Sequence, residues 1–88
     1  MTLHLLISGK VQGVFYRAEA KDEANKLGIT GWVENSPDDK VEAVITGGKE
    51  NLMQFIEWCK QGPRRARVAD VVVEEVDEQQ FEGFEVIR

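Results

Sequence analysis

The stretch Gly9-Lys10-Val11-Gln12-Gly13-Val14-Phe15-Tyr16-Arg17 connects an apolar segment typical of a strand to a segment typical of a helix. Its two glycines allow positive-φ conformations that other residues resist, so the loop can turn successive N–H groups inward around an anion. The free N–H groups of the following helix face the same space, and Arg17 adds donors that suit phosphate oxygens. Spacing alone leaves two interpretations open, a phosphate cradle with one guanidinium or an ordinary glycine-bearing turn.

The segments that follow this loop alternate between strand and helix patterns. Apolar spacing predicts strands over residues 3–8, 29–35, 40–46, 68–76 and 81–87, and helices over 17–27 and 49–61. This order predicts an α+β fold, a ferredoxin-like split βαβ sandwich (βαββαβ plus a short C-terminal strand). We expect an antiparallel sheet with the two helices on one face.

Composition restricts the class of protein. The 88 residues contain no repeat or linker, which predicts one domain over residues 1–88. No apolar run approaches the roughly 20 residues that span a bilayer, and no secretory signal is evident. A single cysteine argues against disulfides and multi-thiolate metal sites, so we expect a soluble, cytoplasmic protein without a metal. The formal net charge of −5 argues against a nucleic-acid partner.

Three residues of chemically active types occupy positions typical of structural roles. His4, the only histidine, lies inside the first strand and is expected to face solvent or a sheet edge. Cys59 follows the apolar spacing of the second helix, which predicts a small buried hydrophobe in place of a reactive thiol. Asn35 ends a strand just before the Ser36-Pro37 turn, where a turn residue is more common than a catalytic one.

Two motifs resemble the signatures of the acylphosphatase family. Residues 9–17 resemble the first signature, whose core reads Gly-x-Val-Gln-Gly-Val followed by two residues and Arg. Gly31-Trp32-Val33-Glu34-Asn35, with Val41 further on, resembles the second signature, in which Asn opens a hairpin. The stretch 62–68 and the closing residues 84–88 also fit, so the resemblance covers essentially the whole chain.

The resemblance implies hydrolysis of the carboxyl–phosphate bond of acyl phosphates, without a metal, a cofactor or a covalent intermediate. By motif match, Arg17 would bind the phosphoryl group and Asn35 would hold the attacking water in line. Backbone amides of the loop would cradle the phosphate oxygens; these belong to Val11, Gln12, Gly13, Val14, Phe15 and Tyr16. The implied partner is a small-molecule acyl phosphate, and a monomer is expected.

The chain departs from the family pattern at three positions. Tyr16 stands where Phe is usual, and its hydroxyl needs a partner if it is buried. Glu34 stands in the variable position before Asn35, and strand alternation predicts that it faces away from Asn35. Asp39 replaces a glycine at the end of the hairpin turn, where a left-handed conformation would cost roughly 1 kcal/mol.

Other functions remain as alternatives to the enzyme. A catalytically lapsed, anion-binding regulatory or accessory domain of the same fold is the second hypothesis, although a lapsed site needs neither Arg17 nor Asn35. An RNA-binding module would need exposed aromatic residues and a basic face, which the chain does not clearly offer. A copper-carrying domain would need a paired-cysteine motif, which one cysteine cannot supply.

Overall fold

The computed structural model describes residues 1–88 and contains two helices and five strands in the predicted order. In chain order the elements are β1 (Thr2–Lys10), α1 (Tyr16–Lys26), β2 (Thr30–Asn35), β3 (Val41–Thr46), α2 (Lys49–Gln61), β4 (Arg67–Val76) and β5 (Phe84–Ile87). The predicted bounds of the helices lie within one residue of the observed ones. The last strand is shorter than predicted, because it begins at Phe84 and not at residue 81. No helix is long and apolar enough to cross a membrane.

The strands form one sheet in the order β4-β1-β3-β2-β5, and the ferredoxin-like prediction is confirmed. The first four strands in that order pair antiparallel, as predicted. β5 pairs parallel with β2, from Gly31 opposite Phe84 to Glu34 opposite Ile87, so the sheet is mixed and the expectation of a wholly antiparallel sheet is wrong for this strand. Residues 77–83 run along one end of the sheet, where Gln79 hydrogen bonds to Thr2 and Thr46, and connect β4 at one edge to β5 at the other. The chain then turns back, so β5 runs opposite to β4 and parallel to β2.

Both helices pack on one face of the sheet because each carries an apolar stripe. The stripe of α2 is fully buried, as its spacing predicted, and consists of Leu52, Phe55, Ile56 and Cys59. α1 contributes Ala20 and Ala24, whose small side chains let the helix approach the sheet closely. The resulting core contains 18 buried hydrophobic residues from strands, loop and helices.

The two helices are also joined by a buried hydrogen bond at the start of α1. The Tyr16 hydroxyl donates to the Cys59 carbonyl oxygen at 2.7 Å, so it has the partner that burial requires. Cys59 lies in the last turn of α2, where carbonyl groups have no partner inside the helix. The first residue of α1, directly after the glycine-bearing loop, is therefore anchored to the end of α2.

Cys59 and His4, the only cysteine and the only histidine, lie in different environments. Cys59 is buried, and desolvation raises the pKa of its thiol to about 12, as expected for an inert core residue. His4 lies on the sheet face that the helices leave open, with Nε2 2.6 Å from Glu42 Oε2. It belongs to an interior strand and not to a sheet edge.

Candidate active site

A cavity of about 280 Å³ opens where the loop after β1 meets the ends of β2 and β5. It brings together Arg17 and Asn35, which are far apart in sequence. Its lining residues are Val11, Gly13, Phe15, Tyr16, Arg17, Ala18, Asn35, Val86 and Arg88. The volume lies just below the range typical of drug-sized ligands, which suits a smaller ligand.

The loop between β1 and α1 is shaped by residues with positive φ. β1 shifts register against β4 between Ser8 and Gly9, and Gly9 has φ of 121°. A Cβ atom at Gly9 would collide with the Arg67 carbonyl oxygen, so the close approach of the two strands there requires glycine. Gly13 (φ 75°) and Phe15 (φ 66°) then turn the chain into α1. For Phe15 the left-handed conformation costs roughly 1–2 kcal/mol.

The backbone N–H groups of this loop have no partners in the chain. None of the N–H groups of residues 11–16 donates a hydrogen bond to another group of the protein. No side chain caps the start of α1 either. The buried side chains of Val11 and Val14 hold the loop against the core. Unpaired N–H groups in a loop that lines a cavity, together with the positive end of a helix dipole, are typical of anion sites.

The Arg17 side chain is held by the last strand. Its Nη1 donates to the Ile87 carbonyl oxygen at 3.0 Å. A guanidinium has five N–H donors, so this bond orients the group and leaves other donors for a ligand. Arg88 also lines the cavity, and no Asp or Glu is among the lining residues. The only charged residues that line the cavity are therefore arginines, although the chain carries a net charge of −5.

Asn35 lies at the end of β2, opposite Val41 of β3. Val33, two residues earlier on the same face, is buried in the core under the helices. Glu34 faces the other side of the sheet and does not line the cavity, in agreement with the alternation argument. The Asn35 side-chain amide makes no hydrogen bond to another residue and, because Asn35 lines the cavity, remains available to a ligand or a water molecule.

The hairpin after Asn35 is closed by backbone and side-chain hydrogen bonds. The Ser36 N–H donates to the Lys40 carbonyl oxygen at 2.8 Å, and the Ser36 hydroxyl donates to Asp38 Oδ1. This hydroxyl, with help from the nearby Lys40, lowers the pKa of Asp38. Asp39 has φ of 67°, which is the left-handed conformation expected at the position where glycine is usual.

The structure separates the predicted loop residues into two groups. Val11, Gly13, Phe15 and Tyr16 line the cavity together with Arg17 and Asn35. Gln12 and Val14 do not line it: Val14 points into the core, and the Gln12 amide hydrogen bonds to the hairpin turn.

Three lining residues were not among the predicted site residues, namely Ala18, Val86 and Arg88. The last two reach the cavity through the parallel pairing of β5 with β2, which the sequence pattern did not indicate. The sequence offered one signal for Val86 and Arg88, because residues 84–88 also fit the pattern of the family that the two motifs resemble. The protein also contains no cluster of three or more His, Cys, Asp or Glu side chains suited to a metal ion.

Comparison with known proteins assigns this fold and loop to one family. The family model described as acylphosphatase matches residues 3–86. The chain belongs to the acylphosphatase family. The match extends from β1 into β5 and therefore includes the loop, Arg17 and Asn35.

Individual acylphosphatases agree with this assignment over nearly their full length. The chain is 50% identical over 82 residues to an acylphosphatase from Marinobacter nauticus, covering 92% of this chain and 89% of that protein. A solved acylphosphatase from Coxiella burnetii is 38% identical with a TM-score of 0.95, covering 98% of this chain and 90% of that one. The acylphosphatase structure from Bacillus subtilis is 31% identical, with the same TM-score and coverage of 99% and 98%.

Proposed function

We propose that this protein hydrolyses the carboxyl–phosphate bond of acyl phosphates, yielding a carboxylate and inorganic phosphate. The observation that carries the proposal is one cavity that contains Arg17, Asn35 and a loop with unpaired N–H groups. Membership of the acylphosphatase family supports the same reaction. The substrate is a small molecule, and the proposed mechanism needs no cofactor or metal.

In the proposed mechanism, the loop and Arg17 bind the phosphoryl group. The N–H groups of residues 11–16 would donate to its non-bridging oxygens, and the Arg17 guanidinium would balance the charge that these oxygens carry. The hydrogen bond from Arg17 to the Ile87 carbonyl oxygen holds the guanidinium in place before substrate arrives. Such preorganisation lowers the barrier because no reorientation is needed during the reaction.

Asn35 would position the water molecule that attacks phosphorus. Its amide can accept and donate hydrogen bonds but cannot take a proton at neutral pH, so it orients water and does not act as a base. As the new P–O bond forms, the bond to the acyl oxygen breaks, and the electron pair leaves with the carboxylate. The water proton passes to the phosphate product or to solvent. A carboxylate is a good leaving group, so positioning and charge stabilisation suffice.

The test is hydrolysis of benzoyl phosphate in excess EDTA by the wild type, Arg17→Ala and Arg64→Ala. Arg64 is exposed and outside the cavity, so its variant controls for the loss of one positive charge. We expect metal-independent turnover by the wild type and Arg64→Ala, and a loss of roughly 100-fold or more in kcat/KM for Arg17→Ala. Folded wild-type protein that binds phosphate without turnover would contradict the proposal and favour the lapsed anion-binding domain.

A further inference from the structure

We propose that the Gln12 side chain is a positioning residue that sets the distance between the phosphate cradle and Asn35. The proposal rests on the proposed function, because it assigns a role in the same reaction. Gln12 is part of the loop sequence but does not line the cavity, so its side chain would not touch the substrate. Its effect would be exerted through Asn35 and the water that Asn35 holds.

The geometry that carries the proposal is a pair of hydrogen bonds from one nitrogen. Gln12 Nε2 donates to the Ser36 carbonyl oxygen at 2.9 Å and to the Lys40 carbonyl oxygen at 2.8 Å. Ser36 follows Asn35 directly, and Lys40 precedes Val41, the residue opposite Asn35 in the sheet. The Gln12 amide therefore binds both sides of the hairpin next to Asn35, the last residue of β2.

No other hydrogen bond joins residues 11–16 to this hairpin. The loop N–H groups are unpaired, Tyr16 is bonded to α2, and Arg17 is bonded to β5. The separation between the bound phosphoryl group and the Asn35 water would thus depend on Gln12. In-line attack requires reacting atoms about 3–3.5 Å apart, and a displacement of about 1 Å can reduce the rate about 100-fold.

The chemistry of the contact explains why glutamine suits the position. Two carbonyl oxygens only accept hydrogen bonds, so their common partner must offer two donors. The amide nitrogen of glutamine does so. Glutamate has the same length, but its carboxylate oxygens would face the two carbonyl oxygens without a proton. Methionine has a similar length and no donor.

The test compares the wild type, Gln12→Met and Ser36→Ala in the same assay. Ser36→Ala removes the hydroxyl that bonds to Asp38 but keeps the carbonyl oxygen that accepts from Gln12, so it controls for a weakened turn. For Gln12→Met we expect kcat to fall by about 10-fold or more, while the dissociation constant of inorganic phosphate changes by less than about 3-fold. Ser36→Ala should retain kcat. Urea unfolding confirms that each variant is folded under the assay conditions.

A second readout is independent of turnover. In a phosphate titration followed by 1H–15N NMR, the loop amides should respond in both the wild type and Gln12→Met. The Asn35 side-chain amide should respond in the wild type and lose that response in the variant. If Gln12→Met does not fold, Gln12→Ser serves the same purpose, since it shortens the side chain without burying an apolar group.

Two results would overturn the proposal while leaving the proposed function intact. One is unchanged kcat in Gln12→Met. The other is a loss of phosphate affinity as large as the loss of kcat, which would mean that Gln12 only supports the cradle. An inactive wild type would instead refute the proposed function, and the NMR response of Asn35 would then decide the positioning role by itself.

Discussion

At the scale of single residues, the proposed mechanism divides the work between a cation that would bind the phosphoryl group and an amide that would orient water. Arg17 donates to a carbonyl oxygen of the last strand and lines the cavity. The Asn35 side chain lines the same cavity and carries no charge, so we expect it to contribute little to anion affinity. Binding and turnover should therefore respond differently to removal of each side chain.

Asn35→Ala should keep phosphate affinity and lose turnover. We expect kcat to fall by roughly 100-fold or more, while the dissociation constant of inorganic phosphate stays within about 2-fold of the wild type. The measurements are steady-state kinetics with benzoyl phosphate and calorimetric titration with phosphate. Asn51→Ala is the matched control, because Asn51 is an exposed amide on α2. Wild-type turnover in Asn35→Ala would refute the proposed role of Asn35.

At the scale of elements, the site depends on how strands and helices end. β1 shifts register against β4 at Gly9 and ends at Lys10. α1 begins without a side-chain cap, and β2 ends at Asn35 in a hairpin closed by Ser36 and Lys40. Two of these connections contain residues other than glycine with positive φ, namely Phe15 and Asp39. Such conformations are costly and concentrate around functional sites. The Asp39 turn is exposed, which makes its cost measurable without disturbing the core.

Asp39→Gly should stabilise the protein. Glycine adopts φ of 67° without the steric cost that aspartate bears, although it gains entropy in the unfolded chain. We expect the free energy of unfolding to rise by roughly 0.5–1 kcal/mol. Urea denaturation measures the change. Asp39→Ala removes the same carboxylate but keeps the strain, so it should bring no gain; equal stabilisation by both variants would assign the effect to charge.

At the scale of the whole molecule, one core connects the sheet to both helices and the loop. The 18 buried hydrophobic residues include Val11 and Val14 from the loop, Tyr16 from α1 and Cys59 from α2. The site is therefore built on the surface of this core, and the stability of the core should be separable from catalysis. Cys59 offers the test because it lies in the core and outside the cavity.

Cys59→Ser should lower stability and retain activity. A buried hydroxyl that lacks a good partner costs about 1–3 kcal/mol in the free energy of unfolding, which urea denaturation measures. Because burial raises the pKa of the Cys59 thiol to about 12, almost no thiolate exists at pH 8. A thiol reagent at pH 8 should label Cys59 only after denaturation. Loss of activity in a folded Cys59→Ser variant would contradict this structural role.

Apolar spacing and turn residues predicted the helices and strands well, because these elements depend on residues that are close together in the sequence. The apolar spacing of α2 marked the residues that are buried, and the turn residues after Asn35 marked the hairpin. The direction of β5 was missed because strand pairing depends on where residues 77–83 cross the sheet, and the pattern of β5 itself carries no information on its partner. Val86 and Arg88 were therefore absent from the predicted site.

By itself, the sequence determined the order of elements, the glycine-bearing loop and, through its two motifs, the family to which the chain belongs. These features depend on residue types at short spacing, which local sterics and periodicity control. Only the tertiary structure decided which distant groups meet: Arg17 with Asn35 in one cavity, Tyr16 with the end of α2, and Gln12 with the hairpin turn. Such contacts depend on how the sheet and helices pack together, and the spacing of residues along the chain does not predict them directly.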